Sequence, residues 1–168
     1  MTDRQRALEY SHELHEFASI MRGEFLNGAT WIEVILSDIL GRYFCESEKR
    51  RSLFFSEIGN KLSFARKVAL FERIILSEFP DFEKTSPDFK RRLDAFLEFR
   101  NVLAHCHIDT STPTLTKRKP NEVTFIIYKP GKMVRRRVTA AEAAERANDI
   151  NALRTQLIRF QEMLSAKN

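Results

Sequence analysis

The sequence predicts a mainly α-helical protein: a helical bundle with a small β-hairpin inserted before its last helix. Apolar residues recur at steps of three and four along most of the chain, which is typical of amphipathic helices. Late in the chain, two β-rich runs flank a Lys-Pro-Gly-Lys segment, which is typical of a hairpin. The length of 168 residues suits one domain, covering residues 1–168.

Two helices are predicted in the first third of the chain. The first runs from Asp3 to Asn27 on an apolar stripe, and Gly28 is expected to end it. The second runs from Ala29 to about Glu46 with a wide apolar face. The charged run ESEKRR that follows is expected to be a solvated connection.

The middle of the chain predicts a short element around 53–58 and two further helices. One runs from Ser63 to Phe79, with Ser63 as its cap and Pro80 closing it. The segment PDFEKTSPD is expected to be a loop. The next helix begins at Ser86 and Pro87, because serine accepts an orphan backbone N–H and proline suits the first helical position.

Beyond His107 the sequence is turn-forming and basic up to the hairpin, which is predicted at about 122–138. Thr139 and Glu142 have the spacing of a capping box ahead of a final helix at about 139–165. The apolar residues of that helix repeat alternately at three and four, so it can pack internally or against a partner subunit.

The charge balance, the cysteine count and the lack of long apolar runs limit which partners, cross-links and locations are expected. Lys and Arg number 28 against 23 Asp and Glu, which makes a polyanion such as nucleic acid a reasonable partner. The two cysteines show no CxxC spacing, so neither a disulfide framework nor a structural zinc site is indicated. The sequence shows no secretion signal and no membrane-spanning run, so we expect a cytoplasmic protein without a membrane partner.

Arg100 interrupts the apolar stripe of the predicted helix that begins near Pro87. At about 100° per residue, Phe96 and Leu103 place this arginine inside the stripe. An unpaired buried charge costs several kcal/mol, so Arg100 must meet an anion, lie in a wet cleft, or extend its head to the surface.

Asn101 and His105 are four residues apart, so they are neighbours on the helix surface, and the long Arg100 side chain can reach towards them. A guanidinium binds two phosphate oxygens in a forked geometry, an amide orients a hydroxyl or a phosphate, and an imidazole titrates near neutral pH. These three groups suit the cleavage of a phosphodiester in RNA.

The segment RNVLAH, from Arg100 to His105, resembles the signature of the HEPN superfamily (higher eukaryotes and prokaryotes nucleotide-binding), in which arginine and a polar residue precede a histidine near a helix end. The resemblance extends to LSFARKVALFERII, from Leu62 to Ile75, and to the lead-in LDAFLEFRN. It covers about Ala29 to Ile108, with a family-like hairpin and helix afterwards. It implies a HEPN-like helical bundle.

The resemblance also implies a function: a metal-independent endoribonuclease without a cofactor. Arg100 would hold the scissile phosphate, His105 would move protons at the attacking 2′-OH or the leaving 5′-oxygen, and Asn101 would orient the motif. The product would be a 2′,3′-cyclic phosphate. A homodimer through the motif helix would supply two imidazoles, one as base and one as acid.

Members of this superfamily often act as toxins or in phage defence, so an antitoxin or regulatory protein is a further expected partner. Others are non-catalytic RNA- or nucleotide-binding modules, and this is the alternative function. A helical protein-interaction domain is a third possibility.

Several residues keep a second interpretation. Arg100 could pair with Glu98 or Asp109 while His105 caps the helix, and His105, Cys106 and His107 could in principle chelate a metal. No acidic ligand set accompanies them, so no metal is predicted. Basic clusters that could track an RNA backbone could equally be solvated surface: Lys90, Arg91 and Arg92; Lys117, Arg118 and Lys119; Lys49 to Arg51; and Arg135 to Arg137. Glu33 is a possible accessory residue facing the cleft, or a solvent-facing one.

Overall fold

A computed structural model describes residues 3–117 and 119–167. Within these residues the chain is mainly helical, as the sequence predicts, and its antiparallel sheet has three strands, one more than the predicted hairpin. The helices are α1 (Asp3–Phe44), α2 (Glu48–Glu57), α3 (Phe64–Glu78), α4 (Pro80–Thr85), α5 (Phe89–His105), α6 (Thr112–Thr116) and α7 (Ala140–Lys167), with a 3-10 turn at Gly59–Lys61. The strands are β1 (His107–Ile108), β2 (Glu122–Lys129) and β3 (Lys132–Thr139). Among these described helices, none combines the length and the apolar character needed to cross a membrane.

The chain forms two compact units. The sheet unit comprises the described parts of residues 1–27 and 98–148, and the helical unit comprises those of residues 28–97 and 149–168. Helices α1, α5 and α7 each contribute residues to both units.

Gly28 lies inside α1, so the prediction that it ends a first helix is wrong. A glycine in a helix interior costs roughly 1 kcal/mol relative to alanine. A Cβ at this position would lie 2.9 Å from Cδ1 of Ile150 and 3.3 Å from its Cγ2. The glycine therefore accommodates close packing against α7 rather than ending the helix.

Three segments predicted to be irregular contain regular structure. The charged run after α1 forms the first turn of α2, where Ser47 accepts a hydrogen bond from the backbone N–H of Arg50. The predicted loop after Phe79 contains α4, because Pro80 occupies the first helical position instead of only closing α3. Similarly, the turn-forming segment after His107 contains Ile108 of β1 and the short helix α6.

Phenylalanines form the core of the helical unit. Phe160 of α7 packs edge-to-face against three other rings at centroid distances of 4.9–5.1 Å, those of Phe71, Phe79 and Phe82. Phe89, the first residue of α5, contacts Phe71 and Phe82 at 5.7 and 5.4 Å. Such pairs add about 0.5–1.5 kcal/mol each beyond the burial of their surface. The first turn of α5 is thus fixed by the aromatic core.

The sheet unit buries one face of its sheet. The strand order is β1-β2-β3, and Val123, Phe125 and Val138 are buried. Phe25 of α1 packs edge-to-face on Phe99 of α5 at 4.9 Å. Phe99 directly precedes Arg100, so this contact fixes the backbone that carries the motif.

The predicted hairpin and last helix are confirmed. Tyr128 pairs with Met133 and Lys129 with Lys132 across the turn, where Gly131 adopts a positive φ of 73°. Helix α7 begins at Ala140, and the backbone N–H of Glu142 donates to Oγ1 of Thr139 at 3.1 Å. This is the hydrogen bond that the capping-box spacing predicts.

Candidate active site

Arg100, Asn101 and His105 meet at the end of α5, as their spacing predicts. Nη1 of Arg100 lies 3.2 Å from Nε2 of His105 and 3.3 Å from Oδ1 of Asn101. One guanidinium nitrogen therefore touches both of the other groups.

The chemistry of the guanidinium decides the roles in this cluster. Arginine carries only donors and stays charged, so a hydrogen bond between Arg100 and His105 requires Nε2 of the imidazole to accept. In such a hydrogen bond Nε2 carries no proton, and this is the tautomer in which that nitrogen can act as a base. Likewise Oδ1 of Asn101 accepts, which leaves its amide NH₂ as the group that can donate to a substrate oxygen.

The cluster is accessible from solvent. Arg100 is half-buried among the apolar residues of α5, while Asn101 and His105 are exposed. Its guanidinium thus reaches the surface, which is one of the three outcomes expected for a charge in the apolar stripe. Glu98, Asn101 and His105 lie at i, i+3 and i+7 on one face of α5, and all three are exposed.

Arg22 of α1 secures the chain directly after the motif, a residue that the sequence analysis missed. Its Nη2 donates to the carbonyl oxygen of Cys106 at 2.5 Å, and its guanidinium carbon lies 5.1 Å from the ring centroid of Phe125. A cation is favourable near a helix C-terminus, where carbonyls lack intrahelical partners. Arg22 lies four residues after Ala18, which is buried, so its charge lies beside an apolar stripe of α1. A charge in that position is the sequence signal that could have identified Arg22.

Cys106 separates the two histidines and is half-buried. Burial raises the pKa of its thiol, and the nearby charge of Arg22 opposes that rise only in part. The thiol form therefore predominates at neutral pH, whereas a nucleophile or metal ligand needs the thiolate.

Asp109 anchors the segment that follows β1. Its side chain is 2% exposed and accepts hydrogen bonds from the backbone N–H of Ser111, Oγ1 of Thr114 and Nε of Arg135. Burial favours the neutral acid, but these donors together outweigh it and hold the pKa of Asp109 well below its usual range. The carboxylate is thus engaged by a fixed set of donors as a structural anion.

The predicted RNA-binding cluster on α5 makes ion pairs within the helical unit. Lys90 lies 3.5 Å from Glu72, Arg91 lies 3.1 Å from Asp88, and Arg92 lies 2.9 Å from Asp149. Lys90 and Arg91 are largely exposed, with side-chain exposures of 61% and 73%, whereas Arg92 is at 33%. Exposed pairs of this kind hold their cations weakly, so Lys90 and Arg91 can still meet a phosphate.

The second predicted cluster follows α6. Lys117 and Lys119 are exposed, and the backbone N–H of Lys119 donates to Oε1 of Glu122 at 3.3 Å. Arg118, the third member of this prediction, lies outside the described residues.

Glu33, the possible accessory residue, is paired with a buried lysine. Its Oε1 accepts a hydrogen bond from Nζ of Lys67 at 2.8 Å, and the side chains are 31% and 4% exposed. Both residues belong to the helical unit, whereas the motif cluster belongs to the sheet unit. Lys67 lies in α3, and the sequence pattern of this helix did not predict that the lysine would be buried.

Comparison of the chain with protein-family models, with curated proteins and with solved structures gave no match. In residues 3–117 and 119–167, no group of three or more His, Cys, Asp and Glu side chains is placed to hold a metal ion.

Proposed function

We propose that the protein is a metal-independent endoribonuclease of the HEPN type, active as a homodimer and serving as a toxin or phage-defence effector. The observation that carries the proposal is the 3.2 Å contact between Arg100 and the acceptor nitrogen of His105. This contact places a permanent cation beside an imidazole nitrogen that can accept a proton, at an exposed helix end.

The reaction follows from these groups. The neutral Nε2 of His105 takes the proton of the 2′-OH, whose oxygen attacks the adjacent phosphorus. The guanidinium of Arg100 turns to the phosphate and stabilises its growing negative charge, while the amide of Asn101 orients the phosphate or the hydroxyl. The bond from phosphorus to the 5′-oxygen breaks, and that oxygen leaves with a proton from an acid. The products are a 2′,3′-cyclic phosphate and a 5′-hydroxyl.

A second copy of the chain supplies the acid. One imidazole that has just accepted the 2′-proton is poorly placed to protonate the leaving oxygen on the opposite side of phosphorus in the same step. Glu98, Asn101 and His105 are exposed on one face of α5, so this face is accessible to a second copy of the chain, and a two-fold axis there would bring two His105 side chains together. In such a pair each protomer contributes one His105: the neutral ring takes the proton of the 2′-OH, and the other ring, which carries the extra proton, gives it to the 5′-oxygen.

Incubation of the protein with end-labelled RNA in EDTA tests the proposed activity. Wild-type protein should cut the RNA and leave ends that resist alkaline phosphatase until acid opens the cyclic phosphate. Arg100→Ala and His105→Ala should each abolish the cut, since a placed histidine contributes typically ~10²–10⁴ in rate. His15→Ala, which removes an exposed histidine of α1, is the matched control and should cut normally. Full activity of His105→Ala would reject the mechanism.

Mixing subunits tests the shared site. Wild-type and His105→Ala chains are co-refolded in equal amounts, so that about half of the dimers are mixed. If each site needs both imidazoles, activity falls to about a quarter of that of the same total amount of wild type, whereas sites within single protomers leave about a half. The second result would assign the acid to a group within the same protomer. RNA bound without any cleavage would instead favour the non-catalytic alternative.

A further inference from the structure

The sheet unit presents a second feature beside the candidate active site, the exposed face of its sheet. Side chains alternate between faces along a strand, and buried Val123, Phe125 and Val138 identify the inner face. The opposite positions also include Glu122, Thr124 and Thr139 at the far end of the hairpin; we term the outer sheet face the part formed by His107, Ile126, Tyr128, Met133, Arg135 and Arg137.

Apolar and cationic side chains interleave on the outer sheet face. Tyr128 is 71% exposed and pairs across the strands with Met133, which is 48% exposed. In the next row of the sheet, Ile126 pairs with Arg135 on one side and with His107 on the other. Neighbouring strands lie about 4.8 Å apart, so these side chains form one continuous surface.

The arginine run of β3 divides between the two faces. Arg136 points to the inner side, where it pairs with Glu142, while Arg135 and Arg137 belong to the outer sheet face. Their side chains are 53% and 63% exposed. The acids that they contact are withdrawn from solvent, with side-chain exposures of 2% for Asp109 and 12% for Glu122.

This composition favours a polyanion over a protein surface. Protein-docking faces are depleted of charge at their centre, whereas here Arg135 lies between Ile126 and Met133. Across residues 122–139 the hairpin sequence has five Lys and Arg residues and a single carboxylate. Exposed aromatic rings beside cations are the arrangement that binds single-stranded nucleic acid, by base stacking and phosphate contact.

One edge of the outer sheet face lies close to the motif along the chain. His105 ends α5 and His107 begins β1, and two residues of extended chain span at most about 7 Å. We infer that the outer sheet face binds the single-stranded RNA substrate next to the scissile phosphate, with a base stacked on Tyr128 and phosphates held by Arg135 and Arg137. This inference rests on the proposed function for the identity of the ligand, but it concerns binding rather than cleavage.

Fluorescence anisotropy with a labelled single-stranded RNA tests this inference. The RNA carries 2′-O-methyl groups throughout, which removes the nucleophile, and the whole 168-residue chain is titrated in EDTA. Tyr128→Ala should weaken binding roughly 5- to 150-fold, the range for loss of one stacked base, while Tyr128→Phe should bind as wild type. Arg137→Gln should lower the slope of log affinity against log salt by about 0.7, the value of one phosphate contact.

Matched controls lie in the helical unit. Trp31→Ala removes an aromatic ring that is 59% exposed, and Lys84→Gln removes a cation whose side chain is 75% exposed. Both should leave the affinity unchanged. The inference would be overturned if Tyr128→Ala and Arg137→Gln bound RNA with wild-type affinity, or if the control variants lost as much affinity as these two. It would also be overturned if the wild type did not bind RNA. Failure of the wild type to cut unmodified RNA would refute the nuclease proposal and leave this binding result standing by itself.

Discussion

Replacing Arg22 with methionine tests whether the contact to the end of α5 holds the motif in place. Methionine keeps most of the apolar stem and removes the donor to the carbonyl of Cys106. A hydrogen bond from a charged donor contributes about 1.5–3 kcal/mol, and the position over the Phe125 ring adds about 0.5–2 kcal/mol. Against this, Nε of Arg22 is buried and has no hydrogen-bond partner in the part of the chain that the structure describes, which offsets about 1–3 kcal/mol. The net loss of unfolding free energy should be about 1.5 kcal/mol.

Chemical denaturation of Arg22→Met measures that loss, and RNA cleavage measures its effect on the site. A displacement of about 1 Å in a catalytic group can cost ~10² in rate, so cleavage should fall steeply even where the protein is fully folded. Because Arg22 does not touch the reacting atoms, the pH optimum should stay in place while kcat falls. Arg22→Lys should recover part of both losses, and Arg159→Met, which removes an exposed arginine of α7, should change neither. Wild-type stability and wild-type cleavage in Arg22→Met would refute the reasoning.

Three further substitutions test the packing and the buried charges. Gly28→Ala adds a Cβ 2.9 Å from Ile150, so overpacking of about 1–3 kcal/mol should exceed the helical gain of roughly 1 kcal/mol and lower the Tm. With Ile150→Ala in the same chain, the change in Tm on adding Gly28→Ala should reverse its sign. The lowered pKa of Asp109 makes its ionised form stabilising, so this contribution is complete above about pH 5 and declines as pH falls below about 4. Asp109→Asn should therefore flatten the acid limb of a plot of unfolding free energy against pH. An unchanged acid limb would contradict this role of Asp109. Glu33→Ala leaves the ammonium of Lys67 buried and should cost about 3 kcal/mol by urea denaturation, whereas Lys67→Met should be nearly neutral; the reverse order would count against a buried pair.

The elements that the sequence predicts well are those specified by their own residues. Helix α3 shows its start in the Ser63 cap, and the hairpin shows its turn in Gly131. The motif cluster belongs to the same class, because Arg100, Asn101 and His105 lie within two turns of one helix. Helical geometry alone brings such neighbours together, whatever the rest of the chain does.

The features that the sequence analysis missed depend on contacts between distant segments. Whether Gly28 ends a helix or makes room for a neighbour is decided by Ile150, and no local pattern around Gly28 contains that information. The contact of Arg22 with the end of α5 and the contact of Arg135 with Asp109 are of the same kind. The prediction of a loop after Pro80 was wrong for a different reason, because a proline that closes one helix can equally be the first residue of the next.

The central claim is that Arg100 and His105 act as one catalytic pair without a metal. Single-turnover cleavage of RNA in EDTA, by wild type, Arg100→Ala, His105→Ala and the double variant, measures this directly. Residues that act as a unit are non-additive, so each single variant should lose nearly as much rate as the double variant. Losses that multiply in the double variant, or a wild type that leaves RNA intact in EDTA, would contradict the account.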